Sequence, residues 1–139
     1  IEQGGVDINQ ADETGITPVV LASAMGNVKM VEYLIQSGAD VDSRDKFYHT
    51  PLMTAAYKGD LRMVQCLLEQ GARIDATDSW GHTALVFALE NNRETTSLFL
   101  YYCSKLSKTP SLYDLPQEFV DLFDEKQSVY LKRMVLIRT

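Results

Sequence analysis

The sequence predicts an all-α solenoid of stacked helix-turn-helix units, with β-hairpin fingers between the units and a C-terminal helical or irregular extension. Two observations predict this fold. Asp, Thr and Gly residues recur at intervals of 33 along residues 1–103. Each interval also holds two short apolar stretches with helical spacing, separated by Gly or Asn. One helix pair cannot cover its own apolar faces, so such units must stack on each other.

The 33-residue period sets the predicted organisation of the chain. The residues that keep it are Asp12, Asp45 and Asp78, then Thr17, Thr50 and Thr83, and also Gly38 and Gly71. The predicted segments are the tail of a preceding unit at 1–11, complete units at 12–44 and 45–77, a degenerate terminal unit at 78–103, and an extension or cap at 104–139. Terminal units are usually atypical because one of their faces has no neighbour.

Each unit is expected to begin its first helix at the recurring threonine. The threonine hydroxyl can accept a hydrogen bond from an unpaired helix N–H. Pro18 and Pro51 follow at the first helical position, where a missing N–H costs nothing. The next residues are mainly small and predict a slim helix that packs closely: Leu21, Ala22, Ala55, Ala56 and Ala88.

The end of that first helix and the second helix can also be predicted. Gly26 and Gly59 should end the first helix, and Asn92 takes their place in the third unit because Asn tolerates a positive φ. The second helix then presents one apolar face at i, i+3 and i+4. The residues of this face are Val31, Leu34 and Ile35 in one unit and Val64, Leu67 and Leu68 in the next.

The segments "TPLMTAA", "GDLRMVQCLLEQGA" and "GADVD", repeated at a period of 33, resemble the ankyrin repeat family over residues 1–103. This resemblance implies that inner helices line a concave face, that outer helices form the convex side and that hairpin fingers project from the stack. It also implies that the units recognise another macromolecule through the fingers and the concave face.

Two features depart from the family pattern. Tyr48 occupies the finger position held by Gly15 and Gly81. A left-handed Tyr would be strained by about 1 kcal/mol or more, so the second finger is expected to have a different shape. The third unit lacks the Gly-Ala-Asp ending, which is why it is interpreted as degenerate.

The extension leaves the period altogether. Residues 104–111 predict a linker or turn, and 114–123, "DLPQEFVDLF", predict a helix. Residues 128–139 fit a strand or a helix equally well. The extension is interpreted as a cap over Leu98, Phe99 and Tyr102, with a second domain or a partner-binding segment as the alternatives.

Composition narrows the function classes. The formal net charge of −6 disfavours binding to a phosphate backbone. No apolar run is long enough to span a membrane. Cys66 and Cys103 lie in apolar helical stretches and do not form a disulfide framework, which favours an intracellular location in the cytoplasm or the nucleus.

The sequence contains no pattern that indicates catalysis, a cofactor or a metal site. His49 and His82 hold equivalent finger positions, expected to be ~10 Å apart in a stack, so a hydrogen bond within each turn is favoured over a shared metal. Aspartates in the fingers are expected to bond to their own backbone rather than to act as catalytic pairs. These aspartates are Asp40, Asp42, Asp45, Asp75 and Asp78.

The candidate partner-binding residues follow from the resemblance, which implies variable positions beside the finger tips and at the end of the inner helix. Those singled out are Met25, Arg44, Lys46, Phe47, Tyr57, Lys58, Trp80, His82, Glu90 and Asn91. Aromatic and Arg side chains often dominate binding energy at interfaces. Phe47 and Trp80 can also pack on each other as local structure, and the two interpretations are compatible.

The function predicted from the sequence is a non-catalytic scaffold or adaptor domain that binds a protein or peptide partner. The alternative is a regulatory domain of a larger enzyme or signalling protein. Binding of a nucleic acid or nucleotide by stacking on Phe47 and Trp80 is disfavoured by the acidic charge. The sequence leaves open the identity of the partner and the oligomeric state.

Overall fold

The computed structural model describes residues 7–105, which form six helices and no strand. The helices are α1 (Pro18–Ala24), α2 (Val28–Gln36), α3 (Pro51–Lys58), α4 (Leu61–Glu69), α5 (Ala84–Glu90) and α6 (Glu94–Lys105). The predicted helical solenoid is confirmed. Ser104 and Lys105 belong to α6 rather than to a linker. The predictions for residues 1–6 and 106–139 lie outside the described residues.

The helices form two rows. The inner row is α1, α3 and α5, in which α3 packs against both of its neighbours. The outer row is α2, α4 and α6, in which α4 packs against the other two. Each inner helix also packs on the outer helix that follows it in the chain. The apolar core therefore lies between the rows and continues from one helix pair to the next.

Equivalent positions on α2 and α4 show what stacking contributes. Met30 and Tyr33 on α2 are 44% and 50% exposed. Their counterparts on α4, 33 residues later, are Met63 and Cys66, which are buried. Both helices have Met at this position. The burial of Met63 therefore follows from the place of α4 in the stack rather than from the type of residue.

Most of the predicted helix ends are confirmed. Thr50 and Thr83 accept hydrogen bonds from the backbone N–H groups of Met53 and Val86, three residues into their helices. Thr17 occupies the same N-cap position, but its buried hydroxyl forms no such bond, and nothing in the described residues explains the difference. Asn92 has a φ of 57° and ends the third inner segment as Gly would.

The predicted hairpin fingers are not confirmed as β-structure, because the described residues between helices form turns without strands. Each turn is closed by a repeated pair of backbone hydrogen bonds. In the second turn, the Asp45 N–H donates to the His49 carbonyl and the Tyr48 N–H donates to the Asp45 carbonyl. The first and third turns, beginning at Asp12 and Asp78, repeat both bonds.

Tyr48 corrects the expectation of a reshaped second turn. Its φ of 64° lies in the left-handed region, as do the φ values of Gly15 and Gly81, and the turn keeps both hydrogen bonds. The surrounding bonds therefore hold a bulky residue in a conformation that costs about 1–2 kcal/mol. The Arg44 guanidinium lies 5.6 Å from the centre of the Tyr48 ring and forms a cation–π contact there.

We expect Tyr48→Gly to be more stable than Tyr48→Ala by about 1 kcal/mol. Both variants lose the ring and its contact with Arg44, but only Ala keeps the left-handed strain. Urea unfolding of the two variants followed by circular dichroism measures the difference. Equal stabilities would show that the turn relaxes around a side chain at this position.

Candidate functional site

The finger aspartates organise the turns from which a candidate site is built. Asp45 Oδ1 accepts from the backbone N–H groups of Phe47 and His49, at 2.8 and 2.9 Å. Asp78 Oδ1 accepts in the same way from Trp80 and His82, at 2.9 and 2.8 Å. The predicted turn chemistry is confirmed at both positions, and it fixes the backbone that carries the aromatic side chains.

The two histidines meet at one carboxylate. His49 Nε2 lies 3.4 Å from Asp78 Oδ2, and His82 Nδ1 lies 3.5 Å from the same oxygen. The other ring nitrogen of His49 lies 3.1 Å from Asp45 Oδ2. The predicted bond within the turn is therefore confirmed for His49, but the expected wide separation of the imidazoles is wrong. His49 reaches across the stack to the next turn.

Asp78 is held ionised although its side chain is only 1% exposed. Burial opposes ionisation, but the backbone N–H groups of His82 and Trp80 and the two nearby imidazoles outweigh it. Together they keep the pKa of Asp78 below its ordinary value of 3.8. A negative charge is thus fixed between the second and third turns. Because Asp78 belongs to the third turn and His49 to the second, their contact joins the two turns.

Phe47 and Trp80 stack on each other at neighbouring turns. Their ring centres are 5.7 Å apart with an angle of 29° between the planes, which is an offset-stacked arrangement. The Phe47 carbonyl also accepts two hydrogen bonds from Ser79, one from its N–H and one from its hydroxyl, both 3.0 Å. Despite this packing, Phe47 is 43% exposed and Trp80 is 64% exposed. The local packing of this pair is therefore confirmed, and its role in partner binding stays a prediction.

Beside this stacked pair, a cavity of about 200 Å³ opens on the inner row. Its lining residues are His49, Met53, Thr54, Tyr57 and Phe87. The Phe87 ring meets the His49 and His82 rings edge-on, each at 5.6 Å between centres. Tyr57 is 53% exposed at the end of α3. We call the surface formed by these five residues together with Phe47 and Trp80 the groove.

The other candidate residues are distributed around the groove or away from it. Lys46 Nζ lies 5.4 Å from the centre of the Phe47 ring, and Lys58 is exposed next to Tyr57. Met25 is 72% exposed at the end of α1. Glu90 is exposed at the end of α5. Asn91 instead donates from its side-chain amide to the Phe87 carbonyl, which ties it to the end of its own helix.

Sequence reasoning missed several residues of this region. Phe87 occupies the repeat position held by Thr54 in the second unit and Leu21 in the first. A large aromatic residue at this position of the third unit is the sequence feature that could have indicated it. Leu21 was expected to pack within the slim helix but is 54% exposed. Arg93 gave no signal. Its Nε donates to the Tyr57 carbonyl at 3.0 Å, where a cation stabilises the end of α3.

Comparison with protein families agrees with this architecture. A model described as ankyrin repeats, in three copies, matches residues 37–109, and a second one, described as an ankyrin repeat, matches residues 14–46. The chain belongs to the ankyrin repeat family. Ankyrin repeats are generally non-catalytic modules of protein–protein interaction. No curated protein matches this ankyrin repeat chain.

Within residues 7–105, no helix is long and apolar enough to cross a membrane. The same residues contain no group of three or more His, Cys, Asp or Glu side chains that could hold a metal ion.

Proposed function

We propose that this ankyrin repeat chain is a non-catalytic scaffold or adaptor module that binds a protein or peptide partner through the groove. The observation that carries the proposal is the exposed Phe47–Trp80 stack beside an apolar cavity. Large aromatic side chains next to a pocket are the type of surface on which a few residues supply most of the binding energy. The turns hold these rings in place, so few side chains lose conformational freedom when a partner binds.

The side chains in the groove favour recognition over chemistry. Asp45 and Asp78 direct one oxygen to backbone N–H groups and the other to imidazole rings. These contacts hold the turns together and leave the carboxylates bound to the protein itself. The surface next to them is mainly aromatic, with Met53 and Thr54 between the rings, and is suited to burying a partner.

An intracellular location forms part of the same proposal. Cys66 and Cys103 are buried and unpaired with each other. Burial raises the pKa of the Cys103 thiol to about 12. Burial, with help from Glu32 and Glu69, raises that of Cys66 to about 11. Both thiols therefore stay protonated and unreactive at neutral pH. What supports a reducing compartment is that the two cysteines form no disulfide.

We expect Trp80→Ala or Tyr57→Ala to weaken partner binding by about 2 kcal/mol with little change in melting temperature. The rings are exposed, so their loss removes contact area for the partner and little core packing. Affinity purification with the wild-type chain identifies the partner, and titration calorimetry then measures the affinity of each variant.

The matched control is the double variant Met30→Ala/Tyr33→Ala on α2, which removes exposed apolar side chains from the outer row. It should retain the partner, whereas Phe47→Ala/Trp80→Ala should lose it. Retention of the same partner with unchanged affinity by the Phe47/Trp80 variant would refute the groove as the binding surface.

A further inference from the structure

The first unit exposes two apolar positions on its outer helix that the later units bury. Met30 and Tyr33 on α2 are 44% and 50% exposed. The residues at the same repeat positions of α4 and α6 are all buried: Met63, Cys66, Thr96 and Phe99. Among residues 7–105, the second and third units each follow a helix pair, whereas the first does not. The third unit buries these positions with no described unit after it, so their burial goes with a preceding unit rather than a following one.

Phe87 shows which way a neighbouring position on the inner helix faces. Its ring meets His82 of its own turn and also His49 of the second unit. Three other residues that line the same cavity belong to α3 of the second unit. A side chain at this repeat position therefore faces the preceding unit. Leu21 holds the position in the first unit and is 54% exposed. We call the exposed surface of Leu21, Met30 and Tyr33 the N-terminal face.

The segment before α1 contacts the first unit in the way that the end of the first unit contacts the second. The Asn9 side-chain oxygen accepts from the Asp40 backbone N–H at 2.8 Å. The Asp42 carboxylate accepts from the Arg73 backbone N–H at 3.0 Å. The two acceptors are 33 residues apart, and so are the two donors. Residues 7–11 thus hold the place of the last segment of a unit.

The same segment also has the internal turn that ends a unit. The Gln10 N–H donates to the Asp7 carbonyl at 3.0 Å, as the Ser43 N–H donates to the Asp40 carbonyl at 3.1 Å. Two independent sets of bonds, one within the segment and one to the first unit, therefore repeat the pattern of a unit end.

This seated segment selects one occupant for the N-terminal face. In the first unit, the outer helix runs directly into its end segment, where the Ala39 N–H donates to the Leu34 carbonyl of α2. A helix pair joined in this way to residues 7–11 would reach the N-terminal face through the connection that already joins the described units. A second copy of the chain, approaching from solution, has no such connection.

We propose that the N-terminal face is the stacking surface for the helix pair of one further ankyrin unit, which precedes residues 7–11 in the same polypeptide. Leu21, Met30 and Tyr33 lose their exposed apolar area when that pair packs on them, which is the driving force for the contact. Neighbouring units of such arrays stabilise each other through their shared faces. The inference does not rest on the proposed function, because the groove lies between the second and third units.

A graft onto the complete chain tests the proposal. A copy of residues 12–33 fused to Ile1 forms, together with residues 1–11, one unit with the 33-residue spacing. The first unit already packs on the second, so its copy presents the same surface to Met30 that the original presents to the second unit. We expect the graft to add helical circular dichroism and to raise the urea concentration at which the chain unfolds. A scrambled copy of the same composition is the control and should do neither.

A second graft guards against a steric mismatch with the first. It carries a copy of residues 45–66, with the copied Cys66 changed to Ser, and it also keeps the 33-residue spacing when joined to Ile1. In the native stack this unit packs against a third unit that carries the larger Phe87 and Phe99. If neither graft adds helical signal or raises the unfolding midpoint, the proposal is wrong.

Met30→Ala measures whether the graft covers the N-terminal face. Without the graft, Met30 is exposed and the substitution should move the urea midpoint only slightly. In the grafted chain, we expect the fall in midpoint to be at least twice as large. Lys29→Ala, at an exposed neighbouring position of α2, is the matched control and should have the same effect in both chains. Equal effects of Met30→Ala in the two chains would overturn the proposal.

Chemical labelling gives a second readout that does not depend on stability. Met30→Cys should react readily with a maleimide in the chain without the graft, whereas the native Cys66 and Cys103 are buried. In the folded grafted chain, we expect the labelling rate of this cysteine to fall at least tenfold. A rate within twofold of that in the chain without the graft would show that the added unit leaves the face uncovered.

The oligomeric state of the chain without the graft tests the other occupant. We expect Met30→Ala/Tyr33→Ala to leave the molar mass measured by size-exclusion chromatography with light scattering unchanged. A dimer that this double variant converts to a monomer would assign the N-terminal face to a second copy of the chain and overturn the proposal.

Discussion

Met63→Ala lowers the free energy of unfolding by about 2–5 kcal/mol. Met63 is fully buried on α4, the outer helix that packs against both α2 and α6. Its truncation leaves a cavity at the centre of the outer row and removes apolar contacts with the neighbouring helices. Equilibrium unfolding in urea, followed by circular dichroism, measures the loss.

Met30→Ala is the matched control for that experiment. Met30 occupies the same repeat position on α2 but is 44% exposed, so its loss should cost about 1 kcal/mol or less. The two substitutions delete the same atoms from equivalent helices. A large difference between them measures the contribution of stacking, whereas equal losses would show that the interface between units contributes little to stability.

Asp78→Ala lowers the free energy of unfolding at pH 7 by about 2–4 kcal/mol. The substitution removes the acceptor of two backbone N–H groups, each costing about 1–3 kcal/mol when left without a partner. It also removes the carboxylate that His49 and His82 share. Thermal and urea unfolding measure the loss. Asp12→Ala deletes the same type of turn carboxylate without histidine contacts, and its effect should be smaller.

The difference in free energy of unfolding between the wild type and Asp78→Ala should become smaller at acid pH. The pKa of Asp78 is lower in the folded protein than its ordinary value of 3.8. Its stabilising contribution is therefore complete above that value and is lost as the pH falls through the folded pKa. Melting curves from pH 7 to pH 2 follow the change. A difference that stays constant down to pH 2 would contradict the role of the Asp78 charge.

The residues that begin and end the helices could be predicted because their preferences are local. Pro at the first helical position, Thr at the N-cap and Asn at a positive φ each act within one turn of chain. The 33-residue period also predicted that equal units stack on each other. The aspartate bonds within the turns were predictable for the same reason, since donor and acceptor lie two to four residues apart.

Candidate residues of the groove were only partly predictable. The sequence pointed to Phe47, Trp80 and Tyr57 because large aromatic residues stand where the repeat does not require them. It did not point to Phe87, which meets both histidines, or to Arg93, which reaches the end of α3. Those contacts join residues in different units, and no spacing within one unit encodes them.

The sequence by itself determined the unit of this protein: two short helices, their caps and a turn closed by an aspartate. Only the tertiary structure decided that Met63 is buried while Met30 is exposed, that Tyr48 accepts a left-handed backbone and that both histidines face Asp78. The physical reason is that local preferences act through neighbouring atoms of the chain. Burial and shared hydrogen bonds depend on which surfaces meet when the units stack.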